Sequence, residues 1–240
     1  MFSIGLLSWK AHKTLRKTLE SYARAGLAAN ADEFKVFFNE ISDEDCALAA
    51  EFGCAAVFCL PAHVPYLRAR LDALGLKVPM ASVSGFPGGA ETPRTKARTA
   101  RELVGYGCDE VDMVNNIAWL KAGEKSAYVD DVAGVVEAAG GRPVKVILEC
   151  HWLTNEEIVR ACEWCAEAGA AWVKTGTGWA PTGATVERIA LMSKAVAGRC
   201  RVKAAGGIRS LATLQALYDA GARRFGVGVN SARSILAELT

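Results

Sequence analysis

No apolar run in this 240-residue chain is long enough to span a membrane. Charge of one sign is not in excess either. The formal net charge is +2, which implies no polyanionic partner, so neither nucleic acid nor a membrane surface is expected. The opening Met1 to Lys10 holds a short apolar run, but it lacks a basic leading region and a clear cleavage site. It is therefore not read as a signal peptide. Eight cysteines are present at 46, 54, 59, 108, 150, 162, 165 and 200, yet Cys162-Glu-Trp-Cys165 has no second pair to complete a tetrahedral metal site. The expectation is structural thiols that pack as small hydrophobes, no metal, and a reduced, cytoplasmic chain.

What is present is apolar residue in regular rhythm. At 51% hydrophobic and 22% charged, the chain suits one large α/β domain or two small ones. Short runs rich in β-branched residues alternate with helical patterns, which predicts a parallel β/α fold. Strands are expected at 2–8, 34–38, 55–60, 78–83, 110–114, 144–149, 172–175, 201–205 and 224–229. Helices are expected at 13–28, from Ser42 to about Gly53, and at 64–74, 93–105, 125–139, 155–169, 185–196 and 211–221, with a short one from about Ser231. The length fits an eightfold (β/α) barrel of the TIM type, at about 250 residues. Nine strands are one too many, and the surplus lies at the N-terminus. Either an extra β-α unit stands outside the barrel, or one strand of the first half is misread, or the barrel is unusual. The chain is read as a single barrel domain over 1–240, with 1–42 an atypical βαβ segment and 43–240 the main body.

Two stretches carry chemistry. Ala171-Trp172-Val173-Lys174-Thr175-Gly176-Thr177-Gly178 is a short apolar run ending in lysine, then a small, hydroxyl-rich turn. Val202-Lys203-Ala204-Ala205-Gly206-Gly207-Ile208-Arg209 repeats the design. Adjacent strands lie about 4.8 Å apart, so lysines sharing a face bring their amines close. A cationic neighbour disfavours protonation of an amine and so frees a nucleophile. The turns offer backbone N–H groups to an anion. From spacing alone both lysines remain candidates. Lys174 is preferred as nucleophile because its Thr-Gly-Thr-Gly turn can hold a substrate close, whereas Lys203 suits a supporting cation.

From about Asp43 onward the chain resembles the deoxyribose-phosphate aldolase family of class I aldolases. The resemblance is carried by Gly85-Phe86-Pro87-Gly88-Gly89, by Asp109-Glu110-Val111-Asp112-Met113-Val114-Asn115-Asn116, and by Val144-Lys145-Val146-Ile147-Leu148-Glu149. The two lysine stretches and Ala220-Gly221-Ala222-Arg223-Arg224-Phe225-Gly226 complete it. The resemblance implies a cofactor-free barrel enzyme that cleaves or forms 2-deoxyribose 5-phosphate from glyceraldehyde 3-phosphate and acetaldehyde. It implies Lys174 as the Schiff-base lysine and Lys203 as the second lysine that keeps it neutral. Asp112 is implied as a strand-end carboxylate working with Lys203 in proton transfer. Thr177, Gly178, Gly206, Gly207, Gly226 and Gly228 fall on the substrate and phosphate cradle. Asn115 and Asn116 either bond substrate hydroxyls or form the turn.

Three departures stand out. The family's first strand bears an aspartate in an Ile-Asp-His-Thr-type stretch that residues 1–40 lack. The serine of Lys-Thr-Ser-Thr-Gly is Gly176 here, and the serine-bearing loop after Gly226 reads Val227-Gly228-Val229-Asn230-Ser231. Residues 1–27 instead resemble the opening strand and helix of a nucleotide-sugar glycosyltransferase, which is compatible with a fusion of two α/β fragments. Two other readings therefore stay open: a related lysine-dependent aldolase or lyase on a different or unphosphorylated substrate, and an inactive or engineered chimeric scaffold. A homodimer is compatible with the sequence, which carries no signal for an oligomeric state.

Overall fold

The computed structural model describes residues 33–37, 43–51 and 54–238. Eight parallel strands close into a barrel in sequence order. They are β1 (Glu33–Phe37), β2 (Ala56–Phe58), β3 (Met80–Ser84), β4 (Glu110–Val114), β5 (Val144–Ile147), β6 (Trp172–Lys174), β7 (Arg201–Ala205) and β8 (Arg224–Gly228). β1 pairs with β2 on one side and β8 on the other, which closes the ring. The strand expected at 2–8, the helix expected at 13–28 and the Ser42 cap lie outside the described residues.

Helices fill the crossovers: α1 (Asp43–Glu51), α2 (Val64–Ala73), α3 (Pro93–Gly105), α4 (Ile117–Ala122), α5 (Lys125–Ala138), α6 (Asn155–Glu167), α7 (Val186–Val196), α8 (Leu211–Asp219) and α9 (Val229–Ala237). Their starts follow local chemistry. The Thr92 side chain accepts from the Thr95 N–H ahead of Pro93, and Thr154 with Glu157 forms a reciprocal capping box on α6. The sequence reading passed from Asn116 straight to Lys125 and so missed α4. That helix is a single capped turn and a half, opened by the Asn116 side chain and ended by Gly123 at φ 75°.

Strands β2 to β6 are buried throughout, β7 and β8 over most of their length, and they feed two separate cores. Val57, Met80, Val111, Met113, Val146, Val173, Val202 and Phe225 point outward against Leu67, Leu103, Val132, Ile158, Ile189 and Leu214 of the helices. Ala56, Phe58, Ala81, Val83, Val114 and Ile147 fill one side of the lumen. The other side, from β4 round to β8, holds Glu110, Asp112, Lys145, Lys174, Lys203 and Arg224, all buried. Among the described residues no helix is long and apolar enough to cross a membrane.

Candidate active site

Strand register brings the two sequence-predicted lysines together. Lys174 on β6 and Lys203 on β7 are direct partners across the parallel ladder, so both side chains enter the lumen at one level. Both donate to the same oxygen of Asp112. Lys174 Nζ lies 3.1 Å and Lys203 Nζ 3.0 Å from Asp112 Oδ2. Their amines are thus no further apart than these two bonds laid end to end. The Phe58 ring faces both, with its centroid 5.5 Å from Lys174 Nζ and 5.9 Å from Lys203 Nζ.

One placement differs from the sequence expectation. Asp112 is not at a strand end but is the central residue of β4, with no exposed surface. Lys203 is likewise central in β7, and only Lys174 closes its strand. The three converge because the lumen is deep enough for long lysine stems to reach inward.

A third lysine was missed. Lys145, the register partner of Asp112, lies 3.4 Å from Asp112 Oδ1 and 2.6 Å from Glu110 Oε2. Arg224 Nη1 donates to Glu110 Oε1 at 2.6 Å, and its guanidinium stacks on Trp172 at 4.4 Å. The signal was available in part, because Lys145 stands in an apolar strand as Lys174 and Lys203 do. Among the described side chains the lumen therefore sets Lys145, Lys174, Lys203 and Arg224 against Asp112 and Glu110 in a buried space. Burial pushes the Lys203 amine well below the ordinary lysine range. Asp112 pulls it back up, while Lys174 and Lys145 push it further down. Lys203, expected from the sequence as a supporting cation and as the partner of Asp112 in proton transfer, is thus held toward its neutral form.

Above this cluster opens a cavity of about 350 Å³. Lys174 and Lys203 form its floor, and Thr177, Gly178, Gly206, Gly207, Arg209, Gly226, Gly228 and Ser231 line its walls. Every cradle residue expected from the sequence is present in that lining. Gly206 and Gly207 hold φ 88° and 81°, a region L side chains rarely adopt, and turn the chain after β7. Ser231 lies in the first turn of α9, where free N–H groups favour an anion. Trp179 stands at the mouth, edge-on to Phe86 with centroids 4.8 Å apart.

Other expectations resolve differently. Asn116 spends its side chain on the α4 cap, and Asn115 is buried against the Tyr128 hydroxyl at 3.2 Å. Both serve the turn, not the cavity. The Thr177 hydroxyl donates to Glu149 and accepts from the Trp179 N–H at 3.0 Å, so its proton is committed within the protein. All eight cysteines are buried thiols. Burial pushes Cys54, Cys59, Cys150 and Cys165 up to about 12, which removes them as nucleophiles at neutral pH.

Known proteins resemble this chain in sequence and fold. The sequence profile of the DeoC/LacD family aldolases matches residues 23–238. The deoxyribose-phosphate aldolase of Klebsiella pneumoniae is 42% identical over 229 residues, covering 95% of this chain and 91% of that protein. The deoxyribose-phosphate aldolase of Methanothermobacter thermautotrophicus is 47% identical over 182 residues, covering 75% of this chain and 80% of its own. The structure of a putative deoxyribose-phosphate aldolase from Coccidioides immitis superposes with a TM-score of 0.79 at 33% identity, covering 88% of this chain and 84% of that one. The tetrameric deoxyribose phosphate aldolase of Aeropyrum pernix gives 0.77 at 25% identity, over 95% and 97% of the two chains. The family match starts ahead of the boundary near residue 43 drawn from the sequence, and the Klebsiella alignment takes in most of the 1–42 segment as well. A closed parallel barrel with paired lumen lysines and a match across nearly the whole chain lead to one statement: this protein belongs to the DeoC/LacD family of aldolases, carbon–carbon lyases.

Proposed function

We propose that this chain forms and cleaves 2-deoxyribose 5-phosphate by Schiff-base chemistry on Lys174, with glyceraldehyde 3-phosphate and acetaldehyde as the partners. The observation that carries the reading is the sharing of one buried carboxylate oxygen by Lys174 and Lys203 on the floor of an open cavity. In the synthetic direction, neutral Lys174 attacks the acetaldehyde carbonyl carbon. A C–N bond forms, the carbonyl oxygen leaves as water, and an iminium remains. A proton then leaves the adjacent carbon, and its electron pair passes to the iminium nitrogen to give an enamine. The enamine carbon attacks the aldehyde carbon of the phosphorylated acceptor, whose oxygen takes up a proton. Water releases the product and restores the amine. Asp112 and Lys203 serve as the proton carriers. A lysine held below its ordinary range titrates closer to neutral pH, which suits acid–base work. The acceptor's phosphate lies against Gly178, Gly206, Gly207 and the turn from Gly226 to Ser231, with Arg209 at the rim.

Acetaldehyde plus borohydride tests the nucleophile. Peptide mapping is expected to find N-ethyl-lysine at position 174. An adduct on Lys203, or none, overturns the assignment. The hydroxyl-poor Val227-Gly228 run favours a second reading, a substrate without the phosphate. Side-by-side turnover of phosphorylated and unphosphorylated deoxyribose separates the two.

A further inference from the structure

The turn after Lys174 is held from behind by a carboxylate that does not line the cavity. Glu149 lies two residues past the end of β5, is 5% exposed, and adopts φ 55° and ψ 59°. A non-glycine residue keeps that conformation only where its surroundings over-determine it. Here the surroundings are donors. The Thr177 N–H approaches both carboxylate oxygens, at 3.3 and 3.2 Å, and the Thr177 hydroxyl donates to Oε2. The same hydroxyl oxygen accepts from the Trp179 N–H, so one carboxylate fixes residues 177 to 179 together. Gly176 completes the arrangement. A Cβ there would lie 2.6 Å from Glu149 Oε1, so the carboxylate occupies the space that any larger residue would need. Gly176 is not among the glycines with positive φ, so its requirement is room and not conformation.

We infer that Glu149 is a positioning residue for the anion-binding turn, and that Gly176 is glycine in order to admit it. Glu149 acts through Thr177. By consuming its N–H and hydroxyl proton, it aims the Gly178 backbone at the cavity. The charge matters because both groups facing it are donors, and an ionised carboxylate is acceptor-only. A glutamine of the same shape turns an N–H2 toward part of that donor set. The inference rests on reading the turn at Gly178 as part of the phosphate end of the site. Acetaldehyde, which has no phosphate, does not draw on it.

The test compares Glu149→Gln, Gly176→Ala and the double variant with the parent. It measures inorganic phosphate affinity, KM and kcat for deoxyribose 5-phosphate, and the rate of borohydride trapping with acetaldehyde. Each single variant is expected to weaken phosphate binding and raise KM by about tenfold, a part of the roughly hundredfold that an ångström of misplacement can cost. kcat and trapping stay near the parent values. The double variant is expected to be no worse than the worse single, because both changes act on one contact. Unchanged phosphate affinity in variants whose parent binds phosphate overturns the role of Glu149 and leaves the proposed function standing. Loss of trapping in parallel with phosphate affinity also overturns it, since Glu149 would then support the fold and not the turn. A parent that traps acetaldehyde but binds no phosphate removes the phosphate end of the site and this inference with it. Should Glu149→Gln not fold, Gly176→Ala reads the same contact.

Discussion

Two buried ionic clusters in this barrel obey different arithmetic. Lys96 of α3 and Asp131 of α5 form one closed pair at 2.6 Å, 0% and 1% exposed, with Lys96 Nζ also donating to the Val114 carbonyl at 3.1 Å. The lumen cluster instead sets, among the described side chains, Lys145, Lys174, Lys203 and Arg224 against Asp112 and Glu110. The first pair sits under the Gly85 turn, where a Cβ at Gly85 would come within 3.0 Å of Lys96 Cε, and does not line the cavity above the lumen. The second opens onto that cavity. A balanced pair has nothing to exchange and anchors the β3 turn. Amines crowded on one carboxylate push a neighbour toward its neutral form, as Lys174 and Lys145 do to Lys203, and a neutral amine is the condition for a lysine nucleophile. Even in the balanced pair, burial pushes the Asp131 carboxyl up against the opposing pull of Lys96. Such a pair is therefore weak evidence of net stabilisation, although breaking it is costly.

The sharpest way to break the comparison is Lys174→Met. It is expected to remove aldol activity by at least about 10⁴-fold, or about 5.5 kcal/mol of transition-state stabilisation, while the urea midpoint holds or rises. A variant that still turns over at a tenth of the parent rate would show that the crowding of amines on Asp112 is not the catalytic feature. Lys96→Met should do the reverse. By leaving Asp131 buried alone it is expected to cost about 3–5 kcal/mol in urea unfolding, with kcat per folded molecule retained. Adding Asp131→Leu should recover most of that loss, and a double variant as unstable as the single would refute the closed-pair account.

Lys203→Met sharpens the comparison through pH. The folded amine has a pKa below its unfolded value of about 10.4, so between those two values the unfolded chain binds the extra proton. Stability from this group therefore rises with pH across that window and is lost as pH falls toward the depressed value. Removing the amine should flatten the slope of stability against pH by up to about 1.4 kcal/mol per unit. An unchanged slope in matched unfolding curves would mean that Lys203 is an ordinary cation. The smallest effect is expected at the surface. Arg98 and Glu102, 78% and 52% exposed, form an i,i+4 pair on α3 whose charges stay in water. Arg98→Ala should leave the urea midpoint where it is, and a clear shift would show that charge count outweighs burial in this protein.

Much of the site was legible in the chain order. A lysine interrupting an apolar strand stands out because lysine is rarely fully buried without a partner, and Lys174 and Lys203 each precede small residues that leave room for a ligand. The glycines of the cradle were legible for the same reason. Lys145 was not singled out, because no glycine turn follows it and it reads as part of a plain strand. The bounds of β4 were read correctly at 110–114, and Asp112 was placed at a strand end only because the family resemblance implied it. Glu149 gave no local sign, since its partner is the N–H and hydroxyl of Thr177, 28 residues away.

The sequence by itself determined the alternation of strands and helices, the parallel sheet, and which short stretches carry reactive amines. Those properties are local: the period of apolar residues, the caps, and the lysine beside its glycines. Only the tertiary structure decided which faces of the strands look inward. In a parallel sheet buried on both sides the apolar pattern is nearly continuous, so it does not mark the lumen face. A register slip of one residue would turn every side chain of a strand to the opposite face. Closing β8 onto β1 fixes that register, and with it the meeting of Arg224 with Glu110 across 114 residues and of Lys174 with Lys203 on one oxygen of Asp112.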